Sequence, residues 1–127
     1  MGGWGKWHGL LLGKQMPGGK QHQITELLAN DDVVEAVIDP KSALLGPTTQ
    51  RFKAEIDFDG RAITDRVLEN TDLDELQARL ATPTETRAAL QDFGEAVVTA
   101  LGVEIDRLES KIKEAVPEAE HVDLEAD

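Results

Sequence analysis

Between Arg51 and Arg61 the chain reads RFKAEIDFDGR. Phe52, Ala54, Ile56 and Phe58 alternate with Arg51, Lys53, Glu55, Asp57 and Asp59. Alternation of apolar and charged side chains with a period of two is the pattern of a β-strand buried on one side only. Asp59-Gly60 then reads as a turn. A strand of this kind demands a sheet with one face covered and one face wet, so the remaining segments must supply both neighbouring strands and a cover.

Those segments follow in order. Ile24, Leu27 and Leu28 share one stripe of a short helix over residues 20–30, which Asn30-Asp31-Asp32 stops. Val33–Asp39 is rich in Val and Ile and reads as a strand, with Pro40 as a break or a bulge. Leu44-Leu45 resumes it before Gly46-Pro47 turns the chain, so this strand and Gln50–Phe58 form a hairpin with a long connection. Ala62–Leu68 reads as an extension of the sheet or as a loop. Asp72–Leu80 reads as a small helix with Thr71 as its cap and Leu73, Leu76 and Leu80 on one face. Thr82-Pro83-Thr84-Glu85 has the composition of a capping box and opens a helix that runs to about Ala115. Along it Leu90, Phe93, Val97, Leu101, Ile105 and Ile112 form the expected buried stripe, with Val98 and Leu108 beside it. Gly94 and Gly102 lie near that stripe, which suggests a close approach or a kink, and Glu104 falls with the solvated charges. Pro117 ends the helix, and His121–Asp127 alternates as a last strand. The simplest fold that buries every stripe is α+β: a ferredoxin-like αββαβ sandwich, a three-stranded sheet backed on one face by helices, with an extra short helical insert.

Residues 1–19 differ from the rest. They are glycine-rich and, with Lys6 and Lys14, carry no acid, so they are expected to form a poorly ordered basic leader ahead of a domain at 20–127. All 25 acidic residues lie beyond it, and the net charge of −12 disfavours a phosphate backbone as partner, so nucleic acid is excluded. Zero cysteines rule out disulfides, thiolate metal sites and a cysteine nucleophile. No Walker loop, GxSxG or HExxH occurs, and no signal points to an enzyme.

The wet face of the sheet is the one place where chemistry-bearing side chains gather. Glu55 and Asp57 on the second strand, with His121, Asp123 and Glu125 on the last, are the candidate ligands of a divalent cation such as zinc or manganese. With carboxylates and one imidazole the coordination would be weak and rich in water, and no cofactor is required. The same pattern also suits a solvated face with cross-strand charge pairs, Lys53 with a neighbouring carboxylate among them.

Several of these stretches together resemble the cytoplasmic C-terminal domain of the cation diffusion facilitator transporters. They are GLLLGK at 9–14, ITELLANDDVVEAV at 24–37, ALLGP at 43–47, RFKAEIDFDGR at 51–61 and LGVEIDRLESKIKEAVPEAEHVDLE at 101–125. ALLGP, the long strand and the segment 63–82 look most like the branch that includes the mitochondrial zinc transporter of animals. The resemblance implies a metallochaperone-like domain that forms a homodimer on the cytoplasmic side of a membrane. It also implies a membrane-spanning transporter part as partner, a role in dimerisation and regulation, and no transport by this chain itself. The family's metal-binding histidines fall here at Ile38, Glu55 and Glu125 (or Leu124), so three imidazoles are replaced. That replacement keeps a second reading open, an interaction or scaffold domain with no metal role.

Overall fold

The computed structural model describes residues 20–127; the expected leader lies outside the described residues. In chain order the elements are α1 (Lys20–Ala29), β1 (Val34–Leu44), β2 (Gln50–Phe58), α2 (Gly60–Leu68), α3 (Leu73–Ala78), α4 (Pro83–Ala115) and β3 (Ala119–Ala126). They form an α+β fold of the ferredoxin-like kind, αββαβ, with α2 and α3 as the inserted helices. The residues separate into two compact units. Of the described residues, one unit holds 20–59 together with Ile105–Asp127, and the other holds Gly60–Glu104.

The first unit is built on the sheet. Its strand order is β1-β2-β3, antiparallel between β1 and β2 and parallel between β2 and β3. A parallel neighbour cannot be reached by a tight turn, and the helical stretch between β2 and β3 provides the crossover. The alternation read in β2 is realised residue by residue: Phe52, Ala54 and Ile56 are buried, and Arg51, Lys53, Glu55 and Asp57 are exposed. The core adds Ile24 and Leu28 from α1, Val33 and Val34, Leu124 from β3, and Leu108, Ile112 and Val116 from the end of α4 and beyond.

Of the two readings of Pro40, a break or a bulge, the structure has the bulge, and β1 continues through it to Leu44. Between Ile38 and Lys41 the ladder slips, with Ile38 opposite Glu55 and Lys41 opposite Lys53, so β1 carries one residue more than β2 there. A proline has no N–H for the ladder, and a bulge is where a strand tolerates it. Asp39 takes the left-handed backbone conformation at φ 53, which Asp adopts more readily than branched residues do.

The second unit departs further from the sequence reading. Asp59-Gly60 is the entry of α2 and not a turn, and Ala62–Leu68 is helical instead of extended or looped. The β-branched Ile63, Thr64 and Val67 suggested a strand, yet Ile63 and Val67 are four apart and share one helical face, with Ile63 buried. At α3 the cap is Asp72, whose carboxylate accepts from the N–H groups of Asp74 and Glu75. The Thr71 hydroxyl instead donates to the Val67 carbonyl at 2.7 Å. The leucines expected to line one face of this helix are mostly bare: Leu73 and Leu80 are exposed.

The start of α4 is as expected, with the Glu85 N–H donating to Thr82 Oγ1 at 3.1 Å. Its buried row is met in part. Ile112, with Leu108 beside it, is buried, and Phe93, Val97, Leu101 and Ile105 are half-buried, but Leu90 is 62% exposed and Val98 69%, while Ala89 and Glu104 are buried. Ala89 and Glu104 carry no apolar bulk, so a search for large apolar residues passes over them. Gly94 and Gly102 are exposed, and a Cβ built on either meets nothing within 4 Å among the described residues. No close approach among the described residues accounts for them, although each costs ~1 kcal/mol against alanine in a helix interior.

Candidate functional site on the open sheet face

Backbone register arranges the residues of the open sheet face in rows, the β1 members Ala43 and Ile38 being half-buried. Ala43, Arg51 and His121 form one; Lys41, Lys53 and Asp123 the next; Ile38, Glu55 and Glu125 the third. Asp57 lies opposite Ala36, beyond the last residues that β3 pairs with β2. Glu55, Asp57, His121, Asp123 and Glu125 are all exposed, as the alternation requires. The face is thus graded, with its cationic side chains toward the Arg51 end and its carboxylates toward the Glu55 and Asp57 end.

The third row has the greatest interest. The resemblance sets metal-binding imidazoles at Ile38, Glu55 and Glu125 or Leu124; the strands bring Ile38, Glu55 and Glu125 side by side, whereas Leu124 is buried opposite Ala54. Only two of the three carry a donor atom. Like charges directly opposite on neighbouring strands repel, so Glu55 and Glu125 form a locally unfavourable pair. A tight zinc site takes four ligands, usually imidazole or thiolate. Among the described residues no three His, Asp or Glu side chains come together as a cation-binding group. The donor set therefore does not fit a high-affinity zinc site. His121 and Asp123 stand in other rows, with His121 opposite Arg51 and Asp123 opposite Lys53. Lys53 thus has a carboxylate, Asp123, as its neighbour in the backbone register.

The strongest electrostatic cluster among the described residues lies elsewhere, at an aspartate whose sequence context marks only a helix stop. Asp31, 8% exposed, follows α1. It accepts from Arg107 through both oxygens at 2.8 and 2.9 Å, from Lys111 Nζ at 2.9 Å and from the Val33 N–H at 3.2 Å. The Arg107 hydrogen bonds, against the opposing effect of burial, hold its carboxyl well below the usual aspartate range, and Lys111 and the Val33 N–H add to this. Arg107 and Lys111 stand four apart on α4, a spacing that brings two cations onto one face. That spacing was the available signal for a shared counter-ion, but no local pattern names an aspartate 76 residues away. A second tie joins the start of α1 to the approach of β3: Lys20 Nζ lies 2.8 Å from Glu118 Oε2 and draws the Glu118 carboxyl below its ordinary value. At the outer side of β3, the Leu124 N–H donates to Glu109 Oε2 at 3.3 Å, which occupies a backbone donor of that edge strand.

This geometry is that of a small α+β domain with a charged open sheet face and a firmly clamped first helix. The chain is homologous to a segment of the cation diffusion facilitator transporters. It is 42% identical over 118 residues to the mitochondrial proton-coupled zinc antiporter SLC30A9 of Homo sapiens. It is 40% identical over 119 residues to the Xenopus laevis protein of the same name, and 39% identical over 122 residues to metal tolerance protein C4 of Arabidopsis thaliana. Each match takes in 91% of this chain but only 21%, 21% and 27% of the relative, so the chain spans about a fifth to a quarter of their length. No family profile and no solved structure matches the chain. No described helix is long and apolar enough to cross a membrane.

Proposed function

We propose that this chain is the C-terminal dimerisation and regulatory domain of a divalent-cation efflux transporter, held at the cytoplasmic side of a membrane and not transporting by itself. The observation that carries the reading is the 42% identity to a zinc antiporter, spread over 91% of this chain and confined to 21% of the relative. On this reading the match is to one module of a transporter, and the translocation pathway lies in other segments. The absence of a membrane-crossing helix among the described residues agrees with that division of labour. Its partners on this reading are a second copy of itself and the membrane-spanning part of the transporter.

A second reading, a scaffold domain with no metal role, is favoured by one observation: Ile38 brings no donor to the row it shares with Glu55 and Glu125. Titrating the chain with zinc or manganese in a calorimeter separates the two. Saturable heat that disappears in both Glu55→Ala and Glu125→Ala supports metal-responsive regulation, with the bound ion weakly held and largely hydrated. No heat at millimolar metal leaves the scaffold role. Sedimentation that finds a strict monomer at high concentration would remove the dimerisation part.

A further inference from the structure

The exposed side of α4 carries a pattern that the fold itself does not use. Leu90, Gly94, Val98 and Gly102 follow one another at four-residue steps and so form a single ridge along the helix. All four are exposed, and the two large members are the most exposed leucine and valine of the described residues at 62% and 69%. Beyond both glycines the space is open. Large and absent side chains therefore alternate, knob and hole, over about three helical turns.

This ridge is self-complementary under a two-fold axis. When an antiparallel copy is laid across it with the axis at the level of Ala96, Leu90 falls opposite Gly102 and Val98 opposite Gly94, twice over. Every knob meets a hole and none meets a knob. An isologous interface has this property, in which residue i contacts j and j contacts i. Interlocking four-residue ridges on both helices cross at about −50°. We infer that the Leu90–Gly102 ridge of α4 is the surface through which two copies of this chain associate. The inference rests on the dimer reading given above and assigns the surface within it.

The area sets the expected strength. A ridge of this length is ~20 Å long on a helix ~10 Å across, which buries roughly 800–1,000 Å² in total. A stable dimer usually needs about 1,200–2,000 Å². The apolar surface continues past Leu90 into a hollow of about 980 Å³ lined by Leu80, Pro83, Thr86 and Leu90, so contact extends somewhat beyond the ridge. The association is accordingly a concentration-dependent one, strengthened when two copies are tethered to one membrane assembly.

The test is sedimentation equilibrium of the 127-residue chain and of four variants, with circular dichroism to verify folding. Gly94→Val and Val98→Gly each remove one kind of match, and each weakens association at least tenfold. The double exchange Gly94→Val with Val98→Gly restores it, because the knob and the hole only change places across the axis. Gly94→Ala raises the melting temperature of the dilute monomer, since the added methyl meets nothing among the described residues, yet lowers association. A wild-type dimer whose association is unchanged in both single variants overturns the inference and leaves the dimer reading intact. A wild-type chain that stays monomeric at every concentration overturns both.

Discussion

Replacing Asp31 by Asn is the sharpest available perturbation of the fold. Asparagine keeps the volume and can still accept from the Val33 N–H, but it removes the charge that Arg107 and Lys111 share. Breaking a fully buried ion pair by deleting one partner costs about 3–5 kcal/mol. Here the aspartate side chain is 4% exposed, whereas those of Arg107 and Lys111 keep 38% and 41%. Water thus re-solvates the orphaned cations in part, and the expected loss is about 2–3 kcal/mol. For a domain of this size that lowers the melting temperature by on the order of 10 °C. Urea denaturation at neutral pH measures the loss directly.

The pH dependence supplies the decisive control. The folded carboxyl titrates below its ordinary value of 3.8, so between the two values the unfolded chain binds more protons. The contribution is therefore fully present above about pH 5 and is lost as pH falls below 4 toward the depressed folded value. The gap between wild type and Asp31→Asn should be constant from pH 5 to 7 and should shrink on further acidification. A gap below about 0.5 kcal/mol at neutral pH, typical of a solvated surface pair, would refute the reasoning. So would a gap that does not shrink in acid.

Two further perturbations address the sheet and its cover. Leu108→Ala removes a fully buried side chain of α4 and should cost about 2–5 kcal/mol in equilibrium denaturation, whereas Leu90→Ala on the exposed side should stay within about 0.5 kcal/mol in the dilute monomer. Asp39→Val forces a β-branched residue into the left-handed conformation and should destabilise by about 1–3 kcal/mol, while Asp39→Gly should not; equal losses in the two variants would place the cost in the Asp39–Lys41 pair, 3.3 Å apart, rather than in the backbone.

What the amino-acid sequence determined on its own was everything carried by short-range periodicity. The period of two in Arg51–Phe58 and in His121–Asp127 assigned two strands and the wet face they share. Thr82 and Glu85 placed the start of α4, and Pro117 its end. These signals are legible because each depends on residues a few positions apart. Segments of mixed signal were not, and α2 is the example: two of its β-branched residues suit a strand face until one knows that Ile63 is buried on a helix. On α4 the burial of Ala89 and Glu104 was likewise out of reach, because neither carries the apolar bulk that marks the exposed Leu90. Only the tertiary structure decided which side of that helix is covered, since coverage depends on what packs beside it. Only the tertiary structure joined Asp31 to Arg107 and Lys111, and set Ile38, Glu55 and Glu125 in one row. Strand register and ion pairing over tens of residues are set by how whole elements fit together, and no local spacing records them.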